Sequence, residues 1–425
     1  MRWWWRRPAV PAVDPRVAGI GPMAFDGWIV TAAALGFGLD LVVYPRQVVA
    51  TAETETEAMR TRRLSFVHGV PSGSTLSAVT FAQDKRIRRA LFETAGIPMP
   101  AGASFSYNSD RDIKRYVERI GFPVVVKEVV GENFMERFGG IADVGQLERV
   151  IRRLRERQGA RLHSASNLER SAYAMTGLRE ADEDDETGQR LAPVDTRFLV
   201  ERDMGGDTYR FLVLGDAVVA VLGFPEGPPS VGHDAVAEVV TLRDSASPRR
   251  SKRGRLHPRY EDVARSAVAV LAGLELAAVD IVMADPTGRP KRRNHWVVEL
   301  SERPHLEVLH ALDPALAFGL AQRIVRHEAA RMARPLPDAA SQVAAQLAFA
   351  GVSVAPAFAE RAAAFAAEHG LQAAVTAADA ASARATLDLQ GSPQAAALLV
   401  ERAMGGGFER QYPRMCEVRV DRDRR

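Results

Sequence analysis

The stretch Gly121-Phe122-Pro123-Val124-Val125-Val126-Lys127 constrains this chain more than any other. Three consecutive β-branched residues fit a pleated sheet, so Val124 to Val126 read as a buried strand that delivers Lys127 to its exit. An ammonium at the end of an apolar run is costly unless an anion meets it. A glycine pair, Gly139-Gly140, follows. Two readings stay open on these residues alone: a solvated lysine with a turn beyond it, or a lysine and a glycine cradle for phosphate.

A chain of 425 residues exceeds what one core usually organises, and implies two to four domains. Hydrophobic residues make up 47% and charged residues 26%, which suits a globular protein with a large core. No apolar stretch approaches the roughly 20 residues needed to span a bilayer, so no membrane partner is expected. Met1-Arg2-Trp3-Trp4-Trp5-Arg6-Arg7 lacks an apolar segment before Pro8 and Pro11 and does not read as a signal peptide. One cysteine, Cys416, excludes an internal disulfide, leaves no thiolate cluster for zinc, and fits a reducing cytosol. A formal charge of +3 gives no argument for nucleic acid, which calls for a concentrated basic face.

Strand-like and helix-like segments alternate between Gly and Pro punctuation, which places the chain in the α/β or α+β classes. A helix beginning near Gly27 and the strands Leu41 to Tyr44 and Leu64 to Val67 suggest a small α/β lobe before residue 80. Thr80 to Gln83 has the spacing of a capping box, which puts Asp84 and Lys85 in the first turn of a helix ending at Gly96. Lys85 then opposes the helix dipole and is either screened by solvent or matched by an anionic ligand. Further on, a helix over Ser109 to Gly121, another from Val144 to about Arg157, and a hairpin of Tyr209 to Leu214 with Ala217 to Leu222 follow from pattern and turn residues. Phe198-Leu199-Val200-Glu201 reads as a strand ending on an acid. The acidic run Glu180 to Glu186 reads as a solvated loop.

A second constellation contains Val279-Asp280-Ile281 and, beyond a turn at Asp285-Pro286-Thr287-Gly288, Val298-Glu299-Leu300-Ser301. Paired antiparallel, these strands put Asp280 and Glu299 on one side. Carboxylates inside apolar strands are expensive unless paired or bound to metal. Arginine partners and Mg²⁺ brought by a nucleotide are the two solutions, the latter suiting oxygen ligands.

Taken in order, these residues resemble the ATP-grasp carboxylate-amine ligases, in particular the branch with cyanophycin synthetase, bifunctional glutathione synthetase and peptide ligases. The resemblance covers about Thr80 to Val325. It is carried by Asp84-Lys85, Ala95-Gly96-Ile97-Pro98, Gly121 to Lys127, Leu199-Val200-Glu201, Gly206-Asp207-Thr208-Tyr209-Arg210, Val279-Asp280, and Glu299-Leu300-Ser301-Glu302-Arg303-Pro304. It implies that Lys85 and Lys127 contact ATP phosphates, that Gly139 and Gly140 belong to the phosphate-covering loop, and that Glu201 lies at the adenine pocket. Asp207 stands near the expected ribose acid. Asp280, Glu299 and Ser301 would hold Mg²⁺, and Arg210 would stabilise the transferred phosphoryl group. Ser301 replaces the asparagine usual in the family, the loop between Lys127 and Gly139 is longer than the compact version, and the ribose acid is displaced to Asp207.

The implied reaction phosphorylates a carboxylate with ATP, after which an amine displaces phosphate to form an amide or peptide. Amino acids or small peptides are the expected substrates. Two other functions remain open: an ATP-binding scaffold with weakened catalysis, and a carboxylate kinase. The basic run Pro248 to Arg259 is either a solvated loop or a surface for an acidic substrate. His305 and His310 follow the second acidic strand and are either site-lining or structural.

After Pro335 and Pro337 the pattern restarts as β-α-β-β-α-β, a ferredoxin-like order. Residues of about 343 to 420 resemble the acylphosphatases, but Ala359 and Ala377 stand where that family has its phosphate-binding arginine and water-positioning asparagine. A degenerate module for packing, self-association or substrate shaping is implied. The expected architecture is therefore α+β: a tail and small α/β lobe over 1–79, an ATP-grasp domain over 80–335 and an acylphosphatase-like domain over 340–425. Phe198 to Gly206 recurs closely as Leu398 to Gly406, strand in one copy and helix end in the other, and reads as coincidence.

Overall fold

The computed structural model describes residues 20, 22–51, 63–106, 109–129, 137–162, 182–183, 190–191, 197–224, 237–240 and 256–422. The N-terminal tryptophans, most of the acidic and basic runs, and the segment between Lys127 and Arg137 lie wholly or largely outside these. In chain order the elements begin with α1 (Pro22–Gly36), β1 (Leu41–Tyr44), β2 (Val48–Thr51), β3 (Ser65–Val67), β4 (Val70–Pro71), α2 (Leu76–Gln83), α3 (Lys85–Ala95), β5 (Gly102–Ser106) and α4 (Asp110–Ile120). Next come β6 (Val124–Glu128), β7 (Arg137–Ile141), α5 (Val144–Leu162), β8 (Asp182–Glu183), β9 (Arg190–Leu191), β10 (Arg197–Arg202), β11 (Asp207–Leu214), β12 (Ala217–Phe224) and β13 (Glu238–Val240). The remainder are α6 (Arg259–Ala269), β14 (Leu276–Met283), β15 (His295–Ser301), α7 (Leu306–Leu312), α8 (Pro314–Arg331), β16 (Val343–Ala350), α9 (Ala355–Glu368), β17 (Gln372–Asp379), β18 (Arg384–Gly391), α10 (Pro393–Met404) and β19 (Met415–Val420). Every strand pairing among the described residues is antiparallel, so these residues form a mixed α and β structure without parallel sheets. None of the described helices is long and apolar enough to cross a membrane.

The elements fall into two compact units, one of Thr75–Glu302 and one joining Met1–Ser74 to Arg303–Arg425. The first contains a four-stranded sheet in the order β5-β10-β6-β7 and a five-stranded sheet in the order β13-β12-β11-β14-β15. Side chains alternate between sheet faces. Val124, Val126, Phe198 and Val200 therefore share one face, which packs with Ile113 and Val117 of α4 and Leu147, Ile151 and Leu154 of α5. The opposite face of the same strands carries Val125, Lys127, Leu199 and Glu201, in register as Leu199↔Lys127 and Glu201↔Val125. All eight residues of β14 are buried, as befits a strand paired on both edges. The β11–β12 hairpin closes at Leu214↔Ala217, with Gly215 at φ 59 in the left-handed region its turn requires.

The start of this unit corrects one sequence expectation. Thr80 to Gln83 do not form a capping box; they lie inside α2, whose N-cap is Thr75, its hydroxyl accepting from Ala78 N at 3.2 Å. Asp84 instead separates two helices and caps α3, its carboxylate accepting from Arg86 N at 2.9 Å. Aspartate satisfies an orphan N–H at a helix start, which a residue already inside a helix cannot do. Lys85 is thus the first residue of α3, and Gly96 ends the helix at φ 71.

The second unit is organised by one eight-stranded sheet, β17-β18-β16-β19-β1-β2-β3-β4. Where the sequence reading separates an N-terminal lobe from a C-terminal module, β1 pairs directly with β19 through Leu41↔Val418 and Val43↔Cys416. Helices α7 and α8 also fall within this unit. The helix α1 is buried all round, with Phe25, Trp28, Ile29, Ala32, Ala33 and Leu35 in the core. Burial in β19 pushes the Cys416 thiol far above its ordinary range, which suits packing and not nucleophilic chemistry.

Candidate active site

Four basic and two acidic side chains of the first unit meet in one buried cluster. Helix α3 supplies Lys85, Arg88 and Arg89, spaced i, i+3 and i+4 so that they share a face with Phe92. Its start is tied to the end of β6 by Lys85 N, which donates to Val129 O at 3.0 Å. Lys127 projects from β6 and is 4% exposed. Its Nζ donates to Val298 O at 2.8 Å and lies 2.7 Å from Glu201 Oε2 and 3.5 Å from Glu299 Oε2. Lys127 therefore links the four-stranded sheet to β15 of the five-stranded sheet.

Glu201 is held on its other oxygen by Arg89, whose Nη2 also donates to Pro100 O at 2.9 Å. Gly102 makes room for this pair: a Cβ there would lie 2.8 Å from Glu201 Cγ and 3.0 Å from Arg89 Cζ. Glu299 is gripped on Oε1 by Arg88. Burial alone would raise the Glu299 carboxyl, but Arg88, Lys127 and Lys85 together hold it down at about 2. Burial pulls Lys85 below the usual lysine range; Glu299 and Glu201 oppose that shift, and Arg88 and Lys127 reinforce it.

The second part of the site is a row across the five-stranded sheet. Arg210 on β11 lies opposite Asp280 on β14, and Asp280 lies opposite Glu299 on β15. Directly opposed residues share a face, so Arg210, Asp280 and Glu299 line up on one side, with Ser301 two residues beyond Glu299 on the same side. Arg210 forks onto Asp280, Nε to Oδ1 at 2.7 Å and Nη2 to Oδ2 at 2.8 Å. It also lies over the Phe224 ring, 5.5 Å from its centroid. Each of the two sheet carboxylates thus has its own arginine, the arginine pairing that the sequence left open beside metal binding.

The donor chemistry still admits a divalent cation. Glu299 Oε2 accepts no hydrogen bond among the described residues, each Asp280 oxygen accepts one bond of the Arg210 fork out of the two lone pairs a carboxylate oxygen carries, and Ser301 is buried beside them with a hydroxyl. These are hard oxygen donors of the kind Mg²⁺ takes.

The remaining sequence candidates stand apart from the cluster. Gly139 and Gly140 lie within strand β7 and not in a loop. Gly140, at φ 66, donates its N–H to Asp203 Oδ2 at 2.8 Å. Asp207 is exposed at the start of β11, opposite Met283. His305 and His310 belong to the second unit. There His310 meets the edges of Phe25 and Trp28 at 5.1 and 6.0 Å between ring centroids. His305 N donates to Asp26 Oδ2 at 3.2 Å. Asp26, His305 and Glu307 bring potential ligand atoms within 4.8 Å of one another. Both Asp26 oxygens accept backbone N–H groups, from His305 and from Leu306 at 2.8 Å, and Arg303 Nε lies 3.7 Å away; this is a helix cap with a counter-ion.

Arg88 and Arg89 escaped the sequence reading. Their signal was present in the helical spacing of residues 85, 88, 89 and 92, which puts two arginines on the face that carries Lys85.

No protein-family model and no curated protein matches the sequence. Among solved structures, D-alanine–D-alanine ligase from Bacillus anthracis is similar at 14% identity and a TM-score of 0.40, over 61% of this chain and 70% of that one. The ATP-grasp ligase PsnB with its minimal precursor is similar at 14% identity and a TM-score of 0.34, over 59% of this chain and 61% of that one. A bifunctional glutathione synthetase from Pasteurella multocida matches at 13% identity and a TM-score of 0.37, over 67% of this chain and 41% of that one. Scores of this size are too loose to establish a common fold.

Proposed function

We propose that this chain is an ATP-dependent carboxylate-amine ligase that forms an amide or peptide bond through an acyl phosphate. The observation that carries the reading is the meeting of Lys127 Nζ with Glu201 at 2.7 Å and Glu299 at 3.5 Å. Three separate ligase-like motifs converge there, beside Lys85. In this reading Lys85 and Lys127 receive the ATP phosphates, Glu201 borders the adenine, and Gly139, Gly140 and Asp207 flank the nucleotide. Two donors of Lys127 are engaged by Val298 O and Glu201, and its third, loosely opposed by Glu299 Oε2 at 3.5 Å, would turn to a phosphate oxygen when the nucleotide binds.

A substrate carboxylate oxygen attacks the γ-phosphorus as ADP leaves. The amine nitrogen then attacks the acyl carbon, phosphate departs, and the nitrogen loses a proton. Phosphate is the better leaving group, and fixed cations stabilise the charge spread over the transferring oxygens. Asp280, Glu299 and Ser301 would hold Mg²⁺, which supplies further neutralisation of the phosphate oxygens. Arg210, with its fork on Asp280, acts by orienting that carboxylate, and its contact with the phosphoryl group belongs to the nucleotide-bound state. Amino acids or small peptides are the proposed substrates and the cytoplasm the proposed location. Residues 340–425 are proposed as a ferredoxin-like, degenerate acylphosphatase-like module that shapes substrate or supports self-association, supported by the strand order β17-β18-β16-β19.

The test is ADP release from Mg²⁺-ATP with pooled amino acids and small peptides, with mass spectrometry for dehydrated adducts. Amine-dependent ADP and an adduct, both lost in Lys127→Ala, are expected. ADP with carboxylate alone, trapped by hydroxylamine, would make it a carboxylate kinase. One observation favours a second reading, an ATP-binding scaffold: both sheet carboxylates already carry arginine partners. ATP binding without ADP release across the pool would favour it.

A further inference from the structure

We infer that Arg88 is a positioning residue that fixes Glu299 so that Oε2 alone is offered to a metal-nucleotide complex; this rests on the nucleotide reading above. Arg88 is 5% exposed and is anchored at three acceptors. Its Nη1 donates to Ala82 O at 2.8 Å and to Leu300 O at 2.5 Å, and its Nη2 donates to Glu299 Oε1. Ala82 lies in α2, whereas Leu300 follows Glu299 in β15. The guanidinium therefore holds both the backbone of the strand and the carboxylate one residue before it.

The consequence is an asymmetric carboxylate. Oε1 is occupied by Arg88, and Oε2 accepts no hydrogen bond among the described residues, facing Lys127 Nζ only at the longer distance of 3.5 Å. Arg210 treats Asp280 differently, engaging both oxygens with its fork. Lysine cannot reproduce the Arg88 arrangement, because Arg88 serves its acceptors from two nitrogens of a rigid planar fork, and a single ammonium nitrogen has neither that span nor that fixed geometry. Lys127 Nζ already lies 3.5 Å from Oε2; without the guanidinium holding Oε1, the carboxylate is free to turn both oxygens onto that ammonium and to withdraw its ligand atom.

The experiment measures affinity of the full chain for the non-hydrolysable ATP analogue AMPPNP, with EDTA and with saturating Mg²⁺, by calorimetry. Wild type should bind more tightly with Mg²⁺. Arg88→Lys should lose that enhancement at least tenfold while its metal-free affinity stays within about twofold, a split that a merely structural arginine does not produce. Glu299→Gln should lose the same enhancement, and the double variant should lose no more than either, because coupled residues are non-additive. Glu299→Asp keeps the charge but draws the carboxylate one methylene back from Arg88, so it tests the idea even where Arg88→Lys does not fold; it should also lose the enhancement. Full enhancement in Arg88→Lys or Glu299→Asp overturns the inference, as does an equal collapse of metal-free affinity. Wild type that binds no AMPPNP under either condition overturns the nucleotide reading itself. Wild type whose enhancement survives Glu299→Gln overturns this inference alone.

Discussion

Glu299 in the first unit and Asp26 in the second are both buried carboxylates, yet their proton affinities move in opposite directions. Burial raises both. Glu299 faces Arg88, Lys127 and Lys85, which bring it down to about 2. Asp26 has burial and the neighbouring Glu307 pushing it up to about 6, against Arg303, His305 and the Leu306 N–H. The number of cations, not the degree of burial, decides the sign. One unit concentrates fixed positive charge, as an anion site requires; the other uses a carboxylate to end a helix.

The largest test of this contrast is Lys127→Met, which removes the cation shared by Glu201 and Glu299. Glu201 and Glu299 keep Arg89 and Arg88, but removing one member of a buried ion-pair cluster costs up to about 3–5 kcal/mol, and the urea midpoint should fall accordingly, together with loss of ATP binding. A loss below about 1 kcal/mol would mean that water, not protein, neutralises the two acids.

Asp26→Ala should have a smaller effect, about 1–3 kcal/mol, from unsatisfied N–H groups at His305 and Leu306. Its pH signature is more specific. Because the folded pKa of Asp26 is raised from 3.8 to about 6, the folded state binds the extra proton between those values. The stability this group contributes is complete below 3.8 and is lost as pH rises through about 6. Glu299 has the opposite sign: its contribution is present above 4.5 and disappears only as pH falls towards 2. Between pH 5 and 7 the Glu299 contribution is flat, and Asp26→Asn should remove a downward slope in thermal midpoint against pH. An unchanged slope would break the comparison.

Gly102→Ala probes the cationic site sterically and leaves every charge in place. The added Cβ would meet Glu201 Cγ at 2.8 Å, and overpacking of this kind costs about 1–3 kcal/mol. Displacing Glu201 should also weaken nucleotide binding, read by calorimetry against Gly102→Ser as a bulkier control. Unchanged affinity would place Glu201 outside the adenine pocket.

What the sequence made legible was local. The valine run before Lys127, the strand ending on Glu201, the Tyr209 to Leu222 hairpin, and Asp280 opposite Glu299 all follow from periodicity and turn residues within short windows. The helices Asp110–Ile120 and Val144–Leu162 follow from the same local signals. Pairing of β1 with β19 leaves no such trace, because nothing near Leu41 reports on Val418. Arg88 and Arg89 were hidden differently: in a helix with four basic residues at positions 85, 86, 88 and 89, composition suggests a solvated face. Only the meeting of that face with Glu201 and Glu299 turns two of those arginines into ion-pair partners, Arg88 buried and Arg89 partly buried.

The smallest expected effect belongs to a pair that copies Lys127–Glu201 in chemistry but not in setting. Lys114 Nζ and Glu148 lie 2.6 Å apart, essentially the separation of Lys127 from Glu201, but their side chains are 45% and 46% exposed against 5% and 6%. Water and salt screen an exposed pair and leave a buried one nearly untouched. Lys114→Met should therefore leave the urea midpoint within experimental scatter at 0.15 M salt, whereas Lys127→Met shifts it strongly at any ionic strength. If both substitutions had similar effects, distance alone would govern these ion pairs, and burial of the cationic cluster would lose its place in the argument for an anion site.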